Sequence, residues 1–129
     1  MNRMLYLIAG VVIGSLLTGG AAAVSSPGPA RQDPLKQGPQ YYKVLLENDE
    51  VRVLEYRLKP GEKEQLHSHP EGVVYGFNDS TIRVTSADGA VTQSIGKAGD
   101  VYWRKALTHA LENIGDTEVH SLAFEIKRH

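Results

Sequence analysis

The sequence holds no cysteine. Disulfides, thiolate metal sites, cysteine nucleophiles and a lipid-modified cysteine are therefore all excluded. It also lacks an excess of either charge: 14 Lys and Arg stand against 15 Asp and Glu, with no run of basic residues. That balance argues against a nucleic-acid partner. No Ser-His-Asp motif, phosphate-cradling glycine loop or paired acid/base carboxylates can be found. After residue 40 no stretch shows a helical apolar stripe. What is there is a chain of 129 residues, room for one domain, whose 41% hydrophobic content suits a globular fold.

The N-terminus reads as a targeting segment. Arg3 is followed by an apolar core from Leu5 to Leu17, and Ala21-Ala22-Ala23 supplies the small residues of a signal-peptidase site before Val24. The rival reading is an uncleaved membrane anchor. Met4 to Val24 carries no charge, and about 20 apolar residues cross a bilayer. Both readings keep Arg3 on the cytoplasmic side and export the rest, to a periplasm or beyond. Any membrane contact runs through this segment alone. Residues 24–40 hold four of the six prolines without apolar periodicity, so an extended or disordered linker is expected. The chain thus divides into a signal or anchor (1–23), a linker (24–40) and a β-domain (41–129).

From Tyr41 onward the pattern is all-β. Val51 to Leu58 alternates, with Leu54, Tyr56 and Leu58 on one face and Glu55 and Arg57 on the other. Strands are also expected at Tyr42–Leu46, Val73–Phe77, Thr81–Thr85, Val91–Ile95, Val101–Trp103, Ala106–Asn113 and Glu118–Ile126. Lys59-Pro60-Gly61 and Asp88-Gly89 are turn signals. Eight or so short strands with such turns indicate a β-sandwich or small barrel.

His67 and His69 are one residue apart on an extended run, so their side chains share a face. Forty residues on, His109, Leu111 and Asn113 share a face of another strand-like run. Gly61, five residues, His67, one residue and His69 resembles the opening of the first motif of the cupin superfamily. Gly99-Asp100-Val101 with the later His109-x-x-x-Asn113 resembles the second motif. The likeness covers about residues 42–127 and is greatest to short single-domain bacterial cupins. It implies a jelly-roll or double-stranded β-helix barrel, a homodimer, and a metal site formed by His67, His69 and His109. The activities it implies are oxygenation or isomerisation.

This sequence departs from the cupin pattern where the family places a glutamate ligand four residues after the second histidine. Val73 and then Val74 stand there, and Glu71 lies in the loop, expected to face solvent. The usual Pro-x-Gly of the second motif is replaced around Arg104, Lys105 and Ala106. Three neutral imidazoles still suffice for Zn, and also for Fe, Mn, Ni or Cu. With the carboxylate gone, the ion's charge is less compensated and an anionic ligand is favoured. If the parity of His69 persists, Val73, Tyr75 and Phe77 point inward, and Tyr75 offers a hydroxyl to the ligand or a ring to the core. Gln65, two before His67, is a further lining candidate. Arg104 is either a carboxylate-binding fork or a solvated basic turn. Two functions follow: a metal-dependent enzyme on a small polar or anionic metabolite, or a non-catalytic module that binds or senses a small molecule without metal.

Overall fold

A computed structural model of the chain describes residues 32–128. The segment read as signal or anchor lies outside the described residues. Alternating apolar and polar residues produce nine strands: β1 (Tyr42–Glu47), β2 (Val51–Leu58), β3 (His67–His69), β4 (Gly72–Gly76), β5 (Ser80–Ser86), β6 (Val91–Gly96), β7 (Val101–Arg104), β8 (Leu107–Asn113) and β9 (Val119–Ile126). The sequence reading found each of these within a few residues. Gly61 and Gly89 adopt φ of 81° and 86° in the expected turns, a region that L side chains rarely enter.

The strands form two antiparallel sheets, one ordered β1-β2-β9-β4-β7 and the other β3-β8-β5-β6. Burial follows the alternation in β2. Leu54 and Leu58 are fully buried and Tyr56 nearly so, while Arg57 on the opposite face is half-exposed. Leu54 packs with Val74 and Ala123, and Tyr56 with Leu58 and Val119. These residues come from the inner face of the five-stranded sheet, so the apolar core and the interior cavity share one wall.

Two features of the backbone differ from the sequence reading. The end of the supposed linker is not extended. Pro34–Gln37 form a helical turn, α1, capped by the Asp33 side chain, and a 3-10 turn follows at Pro39–Tyr41. Pro34 is buried, Ser68 N donates to the Gln32 carbonyl at 2.7 Å, and Asp33 pairs with Arg52 at 2.9 Å. Proline-rich composition predicts a lack of regular structure; it does not register a buried ring and a paired carboxylate that tie the backbone down.

The second difference is the parity of β4. Val74 is buried at 6% exposure, while Phe77 is 42% exposed. Val73, Tyr75 and Phe77 therefore face away from the cavity and Val74 faces in, the reverse of the expectation. The physical cause is the corner at Pro70-Glu71. There the chain leaves the four-stranded sheet, where β3 pairs with β8, and enters the five-stranded sheet, where β4 pairs with β7 and β9. Side-chain alternation runs within a strand and does not carry across a change of sheet.

Candidate metal centre

Pairing of β3 with β8 sets His67 directly opposite His109, and His69 opposite Leu107. Side chains directly across an antiparallel pair stand about 5 Å apart at Cβ. Three imidazoles therefore converge on one point of the inner face, with ring centroids 4.8 Å (His67–His69), 4.9 Å (His67–His109) and 5.4 Å (His69–His109) apart. One nitrogen from each lies within 4.8 Å of the other two. A hydroxyl pair, Ser68 with Thr108 at 2.7 Å, ties the same two strands together on their other face.

The hydrogen bonds assign the tautomers. His67 Nδ1 donates to the Gln65 carbonyl oxygen at 2.8 Å. His69 Nδ1 donates to Glu125 Oε1 at 2.7 Å. In both rings Nε2 is left with its lone pair, the arrangement found when a second partner orients a metal-ligating histidine. His109 Nε2 is buried and has no hydrogen-bond partner among the described residues. A buried polar atom without a partner is costly unless something occupies its lone pair. All three rings are neutral: burial, and then the positive Arg104 nearby, pushes His69 down to about 2. His109 is likewise driven to about 2, by burial and then by the neighbouring His67 and His69. His67 is lowered too, chiefly by burial. Three neutral nitrogens free to coordinate fit a divalent cation.

Around them stand charged residues that the sequence reading missed. Glu125, on β9, is 1% exposed and receives Arg52 at 2.7 Å. Arg52 in turn binds Asp33, which links α1 to the centre. Arg104 Nη2 approaches Glu125 Oε1 at 3.9 Å, too far for a hydrogen bond. Gly72 lies across from both Glu125 and Arg104. A Cβ there would meet the Phe124 carbonyl oxygen at 1.9 Å, so only glycine permits this approach. On the other side Glu64, 3% exposed, accepts from Tyr42 at 2.7 Å and Tyr56 at 2.9 Å. Burial pushes its carboxyl up to about 7 against these two bonds. Tyr42 Oη also lies 3.2 Å from His67 Nε2.

No protein-family model matches the sequence, and no curated protein is significantly similar to it. Solved structures do match. A cupin domain from Bordetella pertussis Tohama I is 28% identical, with a TM-score of 0.62 over 67% of this chain and 92% of that one. This chain has the cupin fold. A double-stranded β-helix protein from Klebsiella pneumoniae shares 21% identity at a TM-score of 0.54, covering 67% of this chain and 70% of that one. A cupin family protein from Methanocaldococcus jannaschii shares 15% at 0.54, covering 67% and 78%. These last two speak for the fold alone.

Within the cupin barrel the remaining candidates fall as follows. Arg104 lines the interior cavity with His69 and His109, so it is no solvated turn. Gln65 is exposed and offers the centre its carbonyl, not its side chain. Tyr75 and Phe77 pack on each other at 5.0 Å and do not line the cavity, and Phe77 stacks at 4.3 Å on His120, which does. Glu71 pairs with Arg128 at the surface. From β4 the inward position is Val74, so the chain presents no carboxylate there. Asn113 bonds the carbonyls of Leu58 and Thr117 and the Gly115 N–H, the backbone-satisfying role expected of it. The missed residues left one signal. Glu125 shares its strand parity with Val119, Ser121 and Ala123, so it is a charge on a face otherwise small or apolar.

Proposed function

We propose that this cupin binds a divalent metal ion through His67, His69 and His109 and, beside it, a small anionic metabolite. The observation that carries the reading is the buried, unpartnered Nε2 of His109, next to two histidines whose Nδ1 atoms are already engaged. The ion would supply a Lewis-acidic position open to an oxygen of the ligand. Counting charges supports an anion. Arg52 and Arg104 offset Asp33 and Glu125, so the ion's two positive charges lack compensation apart from whatever fraction of Glu64 is ionised.

Export rests on the N-terminal sequence, and we carry it forward on that ground: the barrel acts outside the cytoplasm. A homodimer is supported by the outer face of the five-stranded sheet, where Val101 and Trp103 are exposed. Sedimentation of the purified protein tests that point.

A metal-free reading draws on one contact, the 3.2 Å approach of Tyr42 Oη to His67 Nε2. In that case the histidines serve as polar groups of a binding or sensing module. Elemental analysis separates the two. Near-stoichiometric metal in protein purified without chelator or added histidine tag, absent from a His67→Ala/His69→Ala variant, supports the metal centre. No metal after reconstitution with Zn²⁺, Mn²⁺, Fe²⁺, Ni²⁺ and Cu²⁺ overturns it in favour of the metal-free module.

A further inference from the structure

The cavity that opens from the histidine centre has a volume of about 430 Å³, within the ~300–1,000 Å³ typical of small-molecule sites. Its chemistry changes along its length. At the inner end are His69, His109 and Arg104. The walls beyond are mainly apolar, Val74 and Ala123 from one sheet and Ile82, Val84 and Leu111 from the other, with Ser80 and Ser121 among them. At the far edge, β6 and the turn after it contribute exposed Ser94 and Lys97.

Arg104 is the group that demands explanation. Its side chain is 11% exposed, and its Nε and Nη2 are buried without hydrogen-bond partners among the described residues. The nearest carboxylate, Glu125, is already engaged by Arg52 and His69. A desolvated guanidinium with free donors matches a carboxylate, which can take two parallel N–H···O bonds. We infer that the site takes a small organic monocarboxylate with an apolar body, its carboxylate on Arg104 beside the histidine centre and its hydrocarbon part between the two sheets. This inference rests on the anion-binding reading above, but its Arg104 half stands without the metal.

The walls also exclude alternatives. A second carboxylate on a short diacid would lie against mainly apolar walls that hold no second arginine, where little compensates its desolvation. The one lysine lining the cavity, Lys97, is at the exposed end and faces Asp79 at 3.6 Å. A sugar would find few partners for its hydroxyls on walls that are mainly apolar.

The test is calorimetric titration of the purified protein, first with Zn²⁺ and then, in Zn²⁺-loaded and metal-free forms, with phenylacetate, phenylacetamide, succinate and glucose. Saturable binding of phenylacetate is expected, with phenylacetamide, succinate and glucose each at least about tenfold weaker. Arg104→Met should weaken phenylacetate by at least about tenfold while leaving the Zn²⁺ stoichiometry unchanged, with Arg104→Lys between the two. The comparison of phenylacetate with its amide needs no variant, so it stands even if a substitution at Arg104 impairs folding. Absence of phenylacetate binding, equal binding of the amide, or preference for succinate or glucose overturns the inference. Failure of Zn²⁺, and of the Mn²⁺, Fe²⁺, Ni²⁺ and Cu²⁺ tried in its place, to bind overturns the metal centre alone, and the phenylacetate comparison on metal-free protein then decides the carboxylate site.

Discussion

Each imidazole of the centre depends on a partner that fixes its ring, and the most exacting of these is Glu125. It holds the proton on His69 Nδ1 and is itself held by Arg52. Glu125→Gln keeps the shape but removes the charge, and its amide can also offer the wrong group to His69 Nδ1. Metal affinity is expected to fall by about 10–100-fold, the usual effect of losing such a partner. Competition titration against a chelating dye would read it. An unchanged affinity would mean that Glu125 serves the fold and not the centre. The three histidines were legible because spacing on a strand fixes which way a side chain points. Glu125 left only its parity on a small or apolar strand face and Glu64 left nothing local, since both are buried by partners as far as 73 and 22 residues away.

Strand pairing shows the same division between what is local and what is not. Strand positions and turns could be read because alternation, Pro-Gly and Asp-Gly signals act within a few residues. The parity of β4 could not, because it depends on which sheet the strand joins, and that is set by long-range pairing. Gly72, at the start of β4, is where the cost of that pairing is concentrated. Gly72→Ala would put a methyl into the Phe124 carbonyl, forcing β4 from β9. Overpacking of this kind costs about 1–3 kcal/mol or more, and loss of stability with weakened metal binding is expected in urea titrations. A wild-type midpoint would show that the two strands can part without harm. At the N-terminal edge, Asp33→Ala removes both the cap of α1 and one partner of Arg52. With Asp33 partly exposed, a loss of about 1–2 kcal/mol is expected. A change below a few tenths would mean that α1 is not held by this carboxylate.

For the whole molecule, the buried titratable groups pull stability in opposite directions with pH. His67, His69 and His109 have folded pKa values depressed below the ordinary 6.5. As pH falls through 6.5 the unfolded chain gains protons that the folded chain refuses, and each histidine lowers stability by up to about 1.4 kcal/mol per pH unit. Glu64 acts the other way: raised to about 7 from 4.5, it holds a proton in the folded state that the unfolded chain gives up, so between those values it favours folding as pH falls. Glu125 is raised as well, by burial, and acts in the same sense. Three histidines outweigh two carboxyls, so metal-free protein should lose stability from pH 6.5 downward, gently to about 4.5 and steeply below it, where the carboxyls are protonated in both states. Bound Zn²⁺ should raise the melting temperature at pH 8, and still do so at pH 5, because the ligand nitrogens of the folded site stay unprotonated there. Urea titrations from pH 8 to 4, with and without Zn²⁺, would trace both curves. Equal stability of the metal-free protein at pH 8 and pH 4 would mean that the histidines accept protons in place, which a centre of three buried neutral imidazoles does not allow.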